Sequence, residues 1–144
     1  MCDRQDLSEL PGHVIRRLNQ RSTAIFQERV KATRYGDMTS VQFAALDILD
    51  RNPGIDQAGL AQQIAYDRAT IGGVIKRLER KGFVERQVDE KDRRARNLQL
   101  TTRGRAALEL LTPVVARMQS DILGNLDKSE RAVFMALSRK AVAL

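Results

Sequence analysis

The chain has 144 residues, 42% of them hydrophobic and 30% charged, which fits one folded domain and excludes a disordered chain. No apolar run approaches the roughly 20 residues that span a bilayer, and the N-terminus lacks the apolar stretch of a secretory signal, so we expect a cytoplasmic protein. The single cysteine, Cys2, cannot form an internal disulfide and is either a free surface thiol or a redox sensor.

The net charge of +7 is concentrated in one segment. Residues 67–105 hold twelve Lys and Arg and six Asp and Glu, a net +6, whereas the remainder holds thirteen and twelve, a net +1. A local excess of positive charge is typical of a surface that binds a polyanion such as nucleic acid. The alternative interpretation is a charged surface that is simply solvated.

The first two elements are helices. Apolar residues at helical spacing predict a long helix over 8–35 that ends near Gly36. Thr39 and Gln42 carry the capping signature of a second helix. The motif Asn52-Pro53-Gly54 ends that helix, because proline cannot continue the helical hydrogen bonds.

Two further helices follow in quick succession. Asp56 is the predicted N-cap of a short helix, and Asp67 caps the next one. Lys81 and Gly82 then place a cation and a glycine where a helix C-terminus favours them. The fourth helix presents one apolar stripe to the core, made of Ile71, Val74, Ile75 and Leu78.

A β-hairpin follows the fourth helix. Residues 83–88 mix β-branched, aromatic and polar residues and predict a strand, and residues 97–101 alternate polar and apolar and predict its partner. Residues 89–96 then form the tip, in which residues 89–94 are all charged. Such a tip stands either in water or against a charged partner.

A second long helix runs from Thr102 to about Leu123, and Pro113 inside it predicts a kink. Asp127 with Glu130 predicts the cap of a final helix. The apolar residues of that last helix include Val133, Phe134 and Leu137.

This order of elements predicts a mainly α protein with a small β-hairpin. Its middle is a winged helix-turn-helix, because two short helices are followed by a two-stranded wing. We assign residues 37–101 to a DNA-binding lobe, and residues 1–36 and 102–144 to N- and C-terminal dimerisation helices, within one compact domain.

A helix-turn-helix places its second helix in the DNA major groove. Opposite the apolar stripe, this helix offers Arg68, Ala69, Thr70, Gly73, Lys76 and Arg77. The first half of that face is small and polar, which permits close approach to base edges. Thr70 can bond a base or touch a thymine methyl, and Arg77 can donate two bonds to guanine. Arg68 and Lys76 are better suited to phosphates, which fix position rather than sequence.

The hairpin tip supplies a second cationic element. Arg93, Arg94 and Arg96 can reach the flanking minor groove, where the negative potential is strongest when the groove is narrow. Asp92 reduces the charge of the tip. It makes physical sense if it orients one arginine through a bidentate salt bridge.

The segment "LAQQIAYDRATIGGVIKRLERKGFVERQVDEKDRRARNLQLTTRG" resembles the winged helix-turn-helix of the MarR family of bacterial regulators. The wing signature of that family is D-x-R-x-x-x-L-x-L-T. This chain matches it with Asp92, Arg94, Leu98, Leu100 and Thr101. The flanking helices fit the family layout as well, so the resemblance covers almost the whole chain.

The resemblance implies a homodimer whose first and last helices intertwine and whose wings straddle a pseudo-palindromic operator on double-stranded DNA. It also implies that Arg94 enters the minor groove with Asp92 in support, and that Ala69, Thr70 and Gly73 face bases. The sequence gives dimerisation independent support, because little else covers the apolar stripes of the terminal helices.

Most members of the family are repressors, and many release DNA when a small aromatic acid binds between the dimer helices and the DNA-binding lobe. The stretch "PGHVIRRLNQ" resembles the N-terminal segment of regulators that control the breakdown of nicotinic and related aromatic acids. It contains His13, Arg16 and Arg17, and His13 shares a helix face with Arg17. An imidazole with a cation suits a carboxylate or phenolate. The alternative for His13 is a surface or interface histidine bonded to its neighbours.

Two other classes of protein compete with a regulator. The sequence lacks metal-ligand spacing of Cys and His, a phosphate-binding glycine loop and a nucleophile motif, so we expect no enzyme, metal site or cofactor beyond a small aromatic carboxylate or phenolic effector. A helical protein–protein adaptor without DNA binding is the second alternative. An adaptor needs neither the basic segment nor the wing.

Overall fold

The computed structural model describes residues 6–88, 91 and 96–144, with Arg96 described by its backbone alone. A short 3-10 turn, Leu7–Glu9, precedes the first helix. In chain order the elements are α1 (Pro11–Lys31), α2 (Ser40–Arg51), α3 (Gln57–Ile64), α4 (Arg68–Arg80), β1 (Val84–Val88), β2 (Arg96–Leu100), α5 (Thr102–Ile122) and α6 (Lys128–Ala141). Over the ranges described, every helix is too short or too polar to cross a membrane.

The first helix is shorter than predicted. It begins at Pro11 and ends at Lys31, not near Gly36. The hydroxyl of Thr33 donates to the Val30 carbonyl (2.7 Å) and accepts from the Tyr35 amide (3.1 Å), so local side-chain bonds replace the helical ones. The chain then turns toward α2 across residues that the apolar spacing alone assigned to the helix.

The predicted helix caps are confirmed. Thr39 accepts from the Gln42 amide at 3.1 Å, and the Gln42 side chain accepts from the Thr39 amide at 3.2 Å. Asp56 and Asp67 each cap their helix through a bond to the third residue that follows. Asp127 and Glu130 complete a reciprocal pair before α6. Each bond satisfies an amide that the first helical turn leaves without a partner.

The core of the lobe forms under α4. Its stripe is buried as predicted and shares one apolar cluster with residues of α2, the hairpin and α5; the stripe consists of Ile71, Val74, Ile75 and Leu78. Gly82 ends α4 with a φ of +74°, a conformation that glycine adopts without the strain of a Cβ. The chain can therefore reverse directly into β1.

The two strands are antiparallel, with Val84 opposite Leu100 and Val88 opposite Arg96. The first strand begins one residue later than predicted, at Val84. The second is shifted by one residue at both ends: it begins at Arg96, which was assigned to the tip, and ends at Leu100. Thr101 belongs to the next element instead, because its hydroxyl accepts from the Gly104 amide at 3.1 Å as the N-cap of α5. A capping side chain outweighs the alternation that assigned Thr101 to a strand.

The hairpin is fixed to the rest of the lobe at both faces of its root. The Leu98 amide donates to the Ile55 carbonyl at 2.9 Å, which ties β2 to the connection between α2 and α3. At Gly104 an added Cβ would lie 2.0 Å from the Phe83 carbonyl oxygen, so glycine is required for α5 to approach this closely. The wing is therefore seated on the same core as α4.

The terminal helices are packed differently. The structure pairs α1 with α5, and α5 runs continuously through Pro113, whose kink stays a prediction. No residue of α6 is buried. The large apolar side chains that α1 and α6 leave exposed are Val14, Ile15, Val133, Met135 and Leu137.

Candidate nucleic-acid interface

The outer face of α4 is an uninterrupted exposed surface. All six residues predicted to face DNA are exposed on it: Arg68, Ala69, Thr70, Gly73, Lys76 and Arg77. They lie opposite the buried stripe, so the helix divides into a core face and an outer face as its periodicity predicted. Three of the six are cations, which gives this face a positive potential.

The first turn of α4 is held by Asp67. One carboxylate oxygen accepts from the Thr70 amide at 2.8 Å, and the other accepts from the Thr70 hydroxyl at 2.7 Å. These bonds hold the pKa of Asp67 below its usual value; the amide bond contributes most, and the hydroxyl bond comes second. The sequence predicted the cap but missed the hydroxyl bond.

The middle of the same face is bare. Apart from the chain neighbours of Gly73 and the backbone of its own helix, no atom lies within 4 Å of the position that a Cβ on Gly73 would occupy. Glycine inside a helix costs about 1 kcal/mol relative to alanine, so its presence here costs stability. In exchange, the backbone of α4 can approach a partner closely beside Thr70.

A polar network joins the wing to both helices of the helix-turn-helix. Arg86 of β1 donates from Nε to the carboxylate of Glu79 in α4 at 2.7 Å. It also donates from Nη2 to the side-chain Oε1 of Gln57 in α3 at 3.3 Å. The ion pair is partly buried, with side-chain exposures of 26% for Arg86 and 30% for Glu79. Sequence reasoning missed this network. The only local signal is a pair of opposite charges on either side of the turn between α4 and β1.

The predicted wing tip lies outside the described residues. This applies to Asp92, Arg93 and Arg94, and to the side chain of Arg96. The backbone of Arg96 opposes Val88 in the last described pair of the hairpin. The roles assigned to these four residues stay predictions.

The far end of α4 is clamped to the connection between α1 and α2. Lys81 donates to the Asp37 carboxylate and to the Gln42 side chain, both at 3.1 Å. The rings of Tyr35 and Phe83 meet edge to face with centroids 5.8 Å apart. The connection that follows α1 is therefore in direct contact with the C-terminal end of α4.

The residues predicted to bind an effector lie on α1, and one of them, Arg17, lines a cleft. Arg17 lines a cleft of about 590 Å³ together with Gln20, Arg21 and Asn125. Neither His13, which is half-buried, nor the exposed Arg16 lines this cleft.

Arg21 was not among the predicted residues. It donates to the Ile122 carbonyl at 2.9 Å and to the Asp121 carbonyl at 3.0 Å, which anchors α1 on the C-terminus of α5. Its partners are 100 and 101 residues away, so local sequence gives no signal for this role.

Comparison with known proteins identifies the family. The MarR family model matches residues 38–95. The HTH-type transcriptional repressor NicR of Pseudomonas putida is 34% identical over 137 residues, which cover 95% of this chain and 85% of NicR. This chain belongs to the MarR family. The resemblance found in the wing signature and flanking helices is thereby confirmed.

Solved MarR-family structures share the whole fold. PcaV from Streptomyces coelicolor, in complex with its natural ligand, superposes with a TM-score of 0.87 at 34% identity, covering 97% of this chain and 96% of PcaV. BpsR from Bordetella bronchiseptica, whose DNA binding is regulated by 6-hydroxynicotinic acid, gives 0.87 at 31% identity, covering 98% and 99%. The winged helix-turn-helix prediction is confirmed. The protein is a DNA-binding transcriptional regulator, not an enzyme, and the adaptor alternative gains no support.

Proposed function

We propose that this MarR-family protein is a repressor that binds a pseudo-palindromic operator as a homodimer and releases it when a small aromatic acid binds. The observation that carries the proposal is the outer face of α4, which is exposed, cationic and bare at Gly73 beside a rigidly seated hairpin. A protein acting on operator DNA works where the chromosome lies, so we also propose a cytoplasmic, nucleoid-associated location.

The spacing of cations on α4 suits a groove. Arg68 and Lys76 lie eight residues apart, which corresponds to roughly 12 Å along a helix and to a major groove about 12 Å wide. We therefore assign them to phosphates on opposite sides of the groove. Arg77 would contact guanine, and the base-facing residues would be Ala69, Thr70 and Gly73.

The wing would extend the contact beyond the major groove. Arg93, Arg94 and Arg96 carry the positive charge that a narrow minor groove attracts, and Asp92 would orient one of them. The support from the described residues is the seating of the hairpin root through Leu98 and Arg86.

The dimer would form through the segments 1–36 and 102–144. Two clefts of about 770 and 540 Å³ lie between α1 and α6, and their linings are mainly apolar. A second copy that inserts its own terminal helices would remove the exposed apolar surface of both from water. The pair would then present two α4 helices to a two-fold operator.

The effector would be an aromatic acid bound near α1. BpsR supports this class, because its DNA binding is regulated by 6-hydroxynicotinic acid, and the complex of PcaV with its natural ligand supports a small-molecule effector in general. The cleft at Arg17 has the volume of a small-molecule site. His13 and Arg16 would complete the site when the dimer forms.

Release requires that the effector favour one arrangement of the dimer over another. The contacts for such coupling are present: Arg21 ties α1 to α5, and Lys81 ties the end of α4 to the α1–α2 connection. Binding next to α1 would then change the separation of the two α4 helices, and with it the fit to both half-sites.

A titration of operator-bound protein tests this function. Aromatic carboxylates, 6-hydroxynicotinic acid among them, are added while DNA binding is followed by mobility shift or anisotropy. We expect release by at least one compound and, for Arg17→Gln, a loss of about tenfold in its potency, since a charge-assisted bond is removed. Lys31→Gln, an exposed change outside the cleft, is the matched control. Operator binding that no aromatic acid alters would contradict the effector class.

A further inference from the structure

The first turn of α4 contains a hydroxyl whose hydrogen-bond direction is fixed. The Thr70 oxygen lies 2.7 Å from one carboxylate oxygen of Asp67, and the other carboxylate oxygen accepts the Thr70 amide at 2.8 Å. These bonds to Thr70 lower the pKa of Asp67, so its carboxylate is ionised at neutral pH. An ionised carboxylate only accepts hydrogen bonds, so the Thr70 hydroxyl is the donor.

The bond to Asp67 leaves the Thr70 hydroxyl only one kind of hydrogen bond to offer DNA, as an acceptor. A threonine hydroxyl has one proton and two lone pairs, and here the proton is used by Asp67. A bond to an ionised acceptor is stronger than a neutral one, so a base carbonyl does not displace it. In the major groove the exocyclic amino groups of adenine and cytosine donate, whereas guanine and thymine present acceptors.

The approach to this hydroxyl is open. Thr70 is exposed, Ala69 beside it carries only a methyl group, and no side chain beyond its chain neighbours lies within 4 Å of the position of a Cβ on Gly73. Ala69 and Gly73 are therefore too small to separate the hydroxyl from a base edge. The lone pairs of Thr70 are thus free to meet a donor.

We propose that Asp67 makes Thr70 an acceptor-only contact, so that the protein prefers adenine or cytosine over guanine or thymine at the base that faces Thr70. The inference rests on the proposed DNA-binding role of α4. Asp67 is a positioning residue in this scheme, because it acts on the base through Thr70. The cap is thereby a determinant of specificity as well as of helix stability.

One substitution frees the hydroxyl proton without removing the cap. In Asp67→Asn the amide oxygen still accepts the Thr70 amide, but the amide nitrogen donates to the Thr70 oxygen. The hydroxyl then faces the groove with its proton and one lone pair, so it can donate to the acceptors of guanine or thymine as well as accept from adenine or cytosine. Asparagine caps helices about as well as aspartate, so α4 is retained.

The test uses the full-length dimer and duplexes that it selects from a randomised pool. For each position of one half-site, affinities are measured on four duplexes that differ only in that base pair. We expect one position where the wild type prefers adenine or cytosine by about three- to tenfold, the effect of a neutral hydrogen bond. Thr70→Ser keeps this preference, Thr70→Val abolishes it, and Asp67→Asn weakens it, because the hydroxyl can then also donate to guanine or thymine.

Three outcomes overturn the inference. If Thr70→Val changes the base preference at no position, Thr70 contacts no base. If it levels a preference for guanine or thymine, the hydroxyl donates to DNA. If Asp67→Asn leaves the preference for adenine or cytosine undiminished, Asp67 does not set the direction of the hydrogen bond. Failure of the proposed DNA-binding function would give a different result from these three outcomes, since the wild type would then select no duplex sequence from the pool.

Discussion

The DNA-binding lobe and the terminal helices are built in opposite ways. In the lobe, the apolar stripe of α4 is buried in a core shared with α2, the hairpin and α5. In α6 no residue is buried, and Val133 and Leu137 expose 58% and 61% of their surface. One chain therefore completes its DNA-facing surface alone but leaves apolar surface at its ends. Folding of the lobe and assembly of the dimer should respond to different substitutions.

Truncating one leucine in each region tests this contrast most strongly. Leu78 is fully buried, so Leu78→Ala should lower the free energy of unfolding by about 2–5 kcal/mol. Leu137→Ala removes the same atoms from an exposed position in the single chain. Its effect, measured by urea unfolding at several protein concentrations, should be largest where the protein is dimeric and should shrink on dilution, whereas the effect of Leu78→Ala should not depend on concentration. Equal concentration dependence of the two would contradict the contrast.

A charge placed on the exposed face of α6 should disrupt assembly next. Val133→Asp buries a carboxylate if this face joins two copies, so we expect dimer dissociation to increase by about tenfold or more. Analytical ultracentrifugation measures it. The control is Val88→Asp on β1, which has the same 58% exposure but lies on the hairpin. A Val133→Asp protein that dimerises as tightly as the control would place the interface elsewhere.

Removing a wing arginine should affect DNA affinity and leave both stability and assembly unchanged. For Arg94→Ala we expect operator affinity to fall about tenfold, with a shallower dependence on salt, because fewer phosphate counterions are released. Affinities at several salt concentrations provide the measurement. Unchanged affinity and slope would refute the role assigned to the wing.

Loosening the wing root should have a smaller effect. Glu79→Gln keeps the shape of the side chain but removes its charge from the pair with Arg86. We expect operator affinity to fall about threefold, because the wing is held less rigidly against α4. Glu85→Gln, an exposed change on β1, is the control. If both variants bind operator alike, the network does not orient the wing.

The smallest expected effect concerns how the free energy of unfolding depends on pH below neutrality. Bonds from the Glu130 amide and then the Ser129 hydroxyl lower the pKa of Asp127. A lowered folded-state pKa means that the carboxylate stabilises the fold above its ordinary value near 3.8 and loses this contribution as the pH falls further. The stability difference between wild type and Asp127→Asn, from urea unfolding, should therefore narrow from pH 6 to pH 3. A difference that widens on acidification would have the wrong sign.

Local interactions explain what the sequence predicted well. The caps at Thr39 and Asp67 depend on residues three positions apart, and the stripe of α4 depends on helical periodicity alone. The Thr70 hydroxyl bond is equally local, and the spacing Asp-x-x-Thr contains the information for it. It was missed because only the amide was considered as a partner for the cap.

Contacts between distant segments explain what was missed. Arg86 meets Gln57 across 29 residues, and Arg21 meets the end of α5 across about a hundred. Opposite charges are too common in this chain for such pairs to be identified without the fold. The early end of α1 had a local signal in Thr33, but apolar spacing outweighed it.

The contact at Gly104 has a mechanical consequence. With no side chain between α5 and the Phe83 carbonyl, the start of this helix cannot slide over the hairpin root. The helix has 21 residues and acts as a rigid arm roughly 30 Å long. A rotation of α5 by about 10° about its C-terminal end displaces the hairpin root by about 5 Å. This displacement exceeds the 3.4 Å rise of one base pair along a strand. A small rotation between the two subunits is thus geometrically sufficient to move the DNA-binding lobe out of register with its half-site.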